Sequence, residues 1–245
     1  MKIKIEIAKS WNDLSESQLQ KMAQLIYSGK TGIVFDLRCF KILTGIRWFQ
    51  LRKITKIVYV LSQVPMSELK KHFNFIYQAN DRTIFPAKIN GFFAPLNKIT
   101  NLTVDEFSVA DDLHIKWRET QNKDYLIYLA AVLYSSTKQP REQFDKNNLP
   151  DKVKHFQKVP VPVLLSVELT YFGCKNNLVK RFPKAFPKST KKTNTSKYGF
   201  GKVILQMAGG KFGNHEQTKS TNIYTFLEEF NENLKDAKKN PQRNS

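Results

Sequence analysis

Four histidines occur in the chain, and their spacing is the first test for a metal centre. They are His72, His114, His155 and His215, and no two of them stand four residues apart. That spacing is the one at which a single helix presents two imidazoles to one metal ion. His114 follows Asp111 by three residues. This spacing more often gives a pair of surface residues than a metal site. We therefore expect no bound metal.

The glycine cluster AGGKFG, at residues 208–213, resembles a phosphate-binding loop only superficially. Leu205 stands where such a loop needs its first glycine, and Phe212 stands where it needs the Ser or Thr that binds Mg²⁺. The cluster is more typical of a helix that ends at Gly209-Gly210. Nucleotide hydrolysis is therefore not indicated.

Carboxylates and cysteines do not complete a catalytic set either. Asp111 and Asp112 are adjacent, and adjacent helix positions point about 100° apart, so their carboxylates do not converge. Neither Cys39 nor Cys174 has a histidine nearby in the sequence, and there is no G-x-S-x-G motif. Two cysteines without a C-x-x-C motif indicate a reducing compartment, which we expect to be the cytoplasm. We predict that the chain is not an enzyme and uses no cofactor.

Basic residues give the stronger functional signal. The chain has 40 Lys and Arg against 21 Asp and Glu, a formal net charge of +19, and no acidic residue in 37–67 or 171–215. Such stretches, with aromatic residues among them, are expected of proteins that bind phosphate backbones, and they also suit an acidic protein partner. No helix-turn-helix, zinc-finger or RNP motif decides between the two. The candidate binding residues are Arg38, Lys41, Arg47, Arg52, Lys53, Lys56, Lys180, Arg181, Lys184, Lys188, Lys191, Lys192 and Lys197.

Helices must position most of these residues. Thr103 and Glu106 form a T-x-x-E capping box, which predicts a helix over 103–120, and Asp124 is placed to cap a second, apolar helix over 124–136. We expect this helix pair to be the core. The helical spacing of apolar residues, with capping and helix-ending residues, predicts further helices. They lie at 15–29, at 35–64 with a break near Gly45, at 67–77 with Ser67 as the cap, at 159–182 and at 222–238.

The fold class is therefore mainly α, a helical domain with a short N-terminal strand over 2–8 and a small β-hairpin at Asn90-Gly91. We predict an N-terminal helical domain over 1–138 and a basic helical region over 139–245, with a flexible lysine-rich loop at 184–202. The most apolar windows are shorter than the roughly 20 residues that cross a bilayer, so no membrane segment is predicted.

The run LTVDEFSVADDLHIKWRETQNKDYLIYLAAVLY, residues 102–134, resembles a segment of the tail assembly chaperones found in tail modules of tailed phages and prophages. In those proteins a capped helix beginning LT-x-x-E/Q-F precedes a second, apolar helix. The resemblance implies a phage or prophage protein that assists tail assembly by binding tail proteins in the host cytoplasm. The alternative function, from the basic stretches 37–67 and 171–215, is nucleic-acid binding, and a metal-dependent nuclease ranks third.

Overall fold

The computed structural model describes residues 7–45, 49–186, 200, 204–205, 207–209 and 211–239. The predicted mainly α fold with a small hairpin is confirmed in this part of the chain. The N-terminal strand predicted over 2–8 lies almost wholly outside the described residues. So does most of the loop predicted over 184–202.

The described residues form ten α-helices. They are α1 (Glu16–Tyr27), α2 (Gly32–Leu43), α3 (Leu51–Gln63), α4 (Met66–Lys71), α5 (Val104–Thr120), α6 (Lys123–Leu133), α7 (Leu149–Phe156), α8 (Val161–Arg181), α9 (His215–Ser220) and α10 (Ile223–Lys239). Short 3-10 turns lie at Trp11–Asp13, Asn74–Tyr77, Asn97–Ile99 and Lys146–Asn148.

The capping box at the start of α5 is confirmed. The Thr103 hydroxyl accepts a hydrogen bond from the Glu106 amide at 3.2 Å, and the Glu106 carboxylate accepts one from the Thr103 amide at 2.8 Å. The cap predicted for α6 is wrong by two residues: Asn122, not Asp124, is the N-cap, and it accepts from the Asp124 amide at 2.9 Å. The reason is that Gln121 ends α5 in the left-handed conformation, so only two residues separate the helices.

Local signals also set the N-terminal helices. The Ser15–Gln18 capping box starts α1, and positive φ at Gly29 and Gly45 interrupts the helical path after α1 and α2. Ser67, predicted to cap a helix that runs through Tyr77, is not the N-cap: Pro65 is, two residues earlier, and the helix ends at Lys71 before a 3-10 turn.

A two-stranded antiparallel sheet forms where Asn90-Gly91 predicted a turn. Strand β1 (Lys88–Ile89) pairs with β2 (Phe92–Phe93), and both turn residues have positive φ, as a two-residue hairpin requires. Phe93 then exchanges two backbone hydrogen bonds with Ser135, at 2.7 and 2.9 Å. These bonds fix the hairpin to the end of α6.

The core is built on α6, whose residues from Leu129 to Leu133 are fully buried. Helices α5, α7 and α8 pack against α6, and α8 also packs against α1. Buried apolar residues from both sides of position 138 therefore belong to one cluster. The two-domain division at 138 stays a prediction.

Residues 80–84 cross α8 at close range. The Asn80 amide group donates to the Leu169 carbonyl at 2.5 Å, and Asn176 donates to the Asn80 carbonyl at 2.9 Å. At the crossing stands Gly173, where an added Cβ would lie 2.7 Å from the Arg82 amide nitrogen and closer still to its carbonyl oxygen. Only glycine fits this position, because both partners are backbone.

Truncating one buried side chain of α6 tests the core. Leu129→Ala should lower the free energy of unfolding by about 2–5 kcal/mol, because the side chain is fully buried and its loss leaves a cavity. Leu96→Ala, at a side chain that is 49% exposed, is the control and should change it little. Urea denaturation measures both. A loss below about 0.5 kcal/mol for Leu129→Ala would show that α6 is not central.

Gly173→Ala tests the crossing. Alanine is the better helix former by about 1 kcal/mol, yet the backbone contact with Arg82 should reverse the sign and destabilise the protein by about 1–3 kcal/mol. Asn177→Ala, at a half-buried position of the same helix, gains helix propensity without that contact and serves as the control. Thermal denaturation distinguishes them, and a rise in melting temperature for Gly173→Ala would contradict the close approach.

Candidate functional site

The basic residues of α2 lie on its outer face. Arg38 and Lys41 are exposed, while Cys39, Phe40 and Leu43 on the other side are buried. Three apolar side chains share the outer face with the two cations: Ile33, Val34 and Leu37, which are 63%, 49% and 40% exposed. At 100° per residue these five positions fall within an arc of about 140°. The outer face of α2 is therefore both apolar and positive.

Helix α3 shows the same combination. It has no fully buried residue among those whose side chains are described, and Arg52 and Lys56 are exposed. Leu51, Val58 and Tyr59 are exposed too, by 72%, 60% and 55%. Two other predicted binding residues, Arg47 and the Lys53 side chain, lie outside the described residues.

The one acidic residue of α2 points away from its outer face. The Tyr77 hydroxyl donates to the Asp36 carboxylate, and the Lys70 ammonium lies 3.6 Å from it. Burial, and then the hydrogen bond and charge of Asp36, raise the pKa of the Tyr77 hydroxyl. The Lys70 ammonium also lies 3.8 Å from the centre of the Tyr77 ring. Asp36 is thus engaged within the fold, and the exposed side chains on α2 carry only positive charge.

The second basic stretch is only partly described. Lys180, Arg181 and Lys184 are exposed at the end of α8 and beyond it. The Arg181 guanidinium lies 2.5 Å from Glu228 of α10 and 5.1 Å from the Tyr224 ring. Arg181 therefore has partners within the fold already. Four further predicted residues lie outside the described residues: Lys188, Lys191, Lys192 and Lys197.

The interpretation of Asp111 and His114 as a surface pair is wrong. Both residues are buried, because α8 covers this face of α5. The Asp111 carboxylate lies 2.5 Å from the Lys175 ammonium, and His114 Nδ1 lies 3.1 Å from the Glu168 carboxylate, although not aligned for a hydrogen bond. The two helices are thus joined by polar pairs as well as by apolar packing.

Glu168 is the centre of this buried polar cluster. Its side chain is fully buried, it accepts a hydrogen bond from the Tyr27 hydroxyl, and its carboxylate lies 3.7 Å from the Arg118 guanidinium. Burial, with the neighbouring Glu168 charge, raises the pKa of the Tyr27 hydroxyl. His114 stacks on Phe172 at 5.7 Å. The cluster joins α1, α5 and α8, and its contacts fit a structural role.

A metal centre and a reactive thiol gain no support from the described residues. Among them, no group of three or more His, Cys, Asp or Glu side chains is arranged to hold a metal ion. Both thiols are buried, and burial raises the pKa of Cys39 to about 12 and that of Cys174 further above its usual range. A thiol at neutral pH is then protonated and shielded, so it is a poor nucleophile.

The exposed apolar side chains of α2 and α3 were not predicted from the sequence. A signal was present, because α2 carries apolar residues on every side and a single buried face accounts for only some of them. Glu168 was not predicted either, although one acidic residue in the apolar run VLLSVELTYF indicates a charge that needs partners inside the fold.

Comparisons with known proteins returned no match to any family, curated protein or solved structure. None of the described helices is long and apolar enough to cross a membrane.

Thiol accessibility tests the buried state of both cysteines. At pH 8 the folded protein should react with a chromogenic disulfide reagent far more slowly than a free thiol, because burial raises both pKa values and blocks access. After unfolding in guanidinium chloride, two thiols per chain should react at once. Rapid stoichiometric reaction of the folded protein would contradict the packing of Cys39 and Cys174.

Proposed function

We propose that the protein is a non-enzymatic phage or prophage protein that assists tail assembly by binding a tail protein in the host cytoplasm. Support for the tail module comes from the resemblance of residues 102–134 to tail assembly chaperones. Support for protein binding comes from the outer faces of α2 and α3. The observation that carries it is the exposure of Ile33, Val34 and Leu37 on one helix face beside Arg38 and Lys41.

Exposed apolar side chains favour a protein partner over a phosphate backbone. Burying one Leu or Ile side chain at an interface contributes about 1.5–3 kcal/mol, while contacts with phosphates use Lys and Arg and gain nothing from aliphatic neighbours. Contiguous apolar patches on a monomer surface mark interaction sites. The partner that fits α2 is therefore a surface with apolar side chains and acidic residues around them.

Nucleic-acid binding is the alternative function. It is favoured by the exposed cations Arg38, Lys41, Arg52 and Lys56, and by the exposed Tyr59 ring on α3, which is able to stack on an unpaired base. Affinity from phosphate contacts falls steeply with salt, because bound counterions are released, whereas apolar contacts respond weakly. Salt dependence therefore separates the two functions.

Paired variants of α2 test the proposal. The apolar variant is Ile33→Gln with Leu37→Gln, and the charge variant is Arg38→Gln with Lys41→Gln. The protein is co-expressed with each protein encoded by neighbouring genes, and the affinity of any co-purifying partner is then measured by calorimetry. The apolar variant should lose about tenfold to a hundredfold in affinity, because Ile33 and Leu37 are 63% and 40% exposed and together have about one full side chain left to bury, which contributes about 1.5–3 kcal/mol. Folding should be unaffected, since all four side chains are exposed.

The same variants are titrated with single- and double-stranded DNA across a salt series. If the charge variant loses DNA affinity and the apolar variant does not, while no neighbouring protein binds, the alternative function replaces the proposed one. Wild-type affinity of the apolar variant for a tail protein would show that α2 is not the binding surface.

A further inference from the structure

The outer face of α2 is formed by two parallel rows of exposed side chains. Residues four positions apart on an α-helix lie on the same side of it and form a ridge. One ridge contains Ile33, Leu37 and Lys41, and the next contains Val34 and Arg38. All five side chains are exposed, so the groove between the two ridges is open. A second helix packs against a helix surface by laying a ridge of its own in such a groove.

Both ridges change from aliphatic to cationic in the same direction along α2. At a rise of about 1.5 Å per residue, Lys41 lies about 12 Å beyond Ile33 along the helix axis, and Arg38 lies about 6 Å beyond Val34. The groove is therefore apolar in its N-terminal half and positive in its C-terminal half. A partner that matches this groove is apolar at one end of the contact and negative at the other.

Both cations of the groove, Arg38 and Lys41, are available to a partner. Neither side chain forms a hydrogen bond or an ion pair with another of the described residues. The Asp36 carboxylate of the same helix is engaged with Tyr77 and Lys70 instead. An incoming carboxylate therefore displaces no existing partner within the described fold. The same face of a second copy would bring cations against cations, so the charge favours a different partner, one with acidic residues.

The groove suits a helix better than an extended chain. An extended peptide gains most of its affinity from main-chain hydrogen bonds at a sheet edge, whereas the backbone groups in the middle of a helix are already paired. A helix instead presents apolar side chains three or four positions apart, which matches the spacing of Ile33, Val34 and Leu37. A phosphate backbone would contact the two cations and leave these three side chains exposed to solvent.

From this geometry we propose that the outer face of α2 binds an acidic amphipathic α-helix of the partner protein. Along one face of that helix, aliphatic residues three or four positions apart are followed, one to two turns further on, by Asp or Glu. The aliphatic residues pack beside Ile33, Val34 and Leu37, and the carboxylates contact the Arg38 guanidinium and the Lys41 ammonium. This proposal rests on the proposed function, because it names the kind of segment that the same surface binds.

The test uses the full-length protein and three fluorescein-labelled helical peptides of equal length. The Leu/Glu peptide carries Leu and then Glu along one face, in the order just described, on a background of Ala and Gln. The scrambled peptide has the same composition in a different order, and the Leu/Lys peptide has Lys in place of every Glu. Circular dichroism confirms that all three are helical.

Fluorescence anisotropy at physiological salt measures their binding. The Leu/Glu peptide should bind about tenfold more tightly than the scrambled peptide, because only the Leu/Glu peptide presents its apolar and acidic residues on one face. General attraction to a chain with a net charge of +19 predicts equal affinities, since the two peptides have equal charge. Equal affinities would overturn the proposal.

A charge reversal locates the contact. Arg38→Glu with Lys41→Glu makes the positive half of the groove negative, while Lys138→Glu with Lys158→Glu, the control, reverses two exposed lysines outside α2 and α3. Each double variant lowers the net charge of +19 by four units, two per substitution. The ratio of the affinities for the Leu/Glu and Leu/Lys peptides should fall about tenfold further in the α2 variant than in the control. An equal fall in both would contradict binding at α2.

A single variant keeps the test valid if the charge reversal prevents folding, which the melting temperature shows. Arg38→Gln changes one exposed side chain and should weaken the Leu/Glu peptide about threefold more than the scrambled peptide. An equal effect on the two peptides would overturn the proposal.

Binding of a tail protein separates this proposal from the proposed function. If the Leu/Glu and scrambled peptides bind equally while Ile33→Gln with Leu37→Gln still weakens binding of a tail protein, the proposed function stands and the helical partner is wrong. If the α2 variants change the binding of neither the peptides nor a tail protein, both proposals fail.

Discussion

The crossing of residues 80–84 over α8 is the constraint on which the described fold depends. Arg82 is 3% exposed, and its guanidinium donates to the carbonyls of Trp11, Leu14 and Ile84 at 2.7, 3.0 and 2.9 Å. Burial lowers the pKa of this guanidinium. A buried cation needs hydrogen-bond partners, and here three backbone carbonyls accept from Nε and Nη1 of Arg82. The same segment approaches α8 so closely at Gly173 that a side chain there is excluded.

Three parts of the chain are fixed together by this crossing. The turn that leads into α1 is held by Arg82, the middle of α8 is held by Asn80, and the Thr83 amide donates to the Asn12 side chain at 2.9 Å. Helices α1 and α8 then pack against each other and bring Tyr27 to Glu168. The buried polar cluster is therefore a consequence of the same arrangement.

Charge is distributed unevenly between the inside and the outside of the protein. Three carboxylates are buried and engaged within the fold: Glu106 with Arg141, Asp111 with Lys175, and Glu168 with Tyr27. The outer faces of α2 and α3 carry exposed cations beside aliphatic side chains.

Local sequence signals determined most of the secondary structure. The capping boxes at Ser15 and Thr103 and the turn at Asn90-Gly91 fix their elements because the interacting groups lie within four residues of one another. The apolar character of α6 likewise predicted its central place. The basic residues on α2 were predicted as binding candidates from the charge of the stretch alone, and they are exposed, since charged side chains rarely lie inside a fold.

Only the tertiary structure decided which residues share a surface. Nothing near His114 in sequence indicates Glu168, and nothing near Glu106 indicates Arg141, because each pair joins residues more than 30 positions apart. The exposure of Ile33 and Leu37 depended on what α2 packs against, which periodicity alone does not determine when a helix is apolar on every side. Two backbone hydrogen bonds, from Val104 to Thr221 and from Ile223 to Leu102, hold α9 and α10 at the start of α5. No local sequence pattern indicates pairing over such a distance in sequence, and this pairing places Glu216 of α9 and Arg141 on the walls of the same cavity.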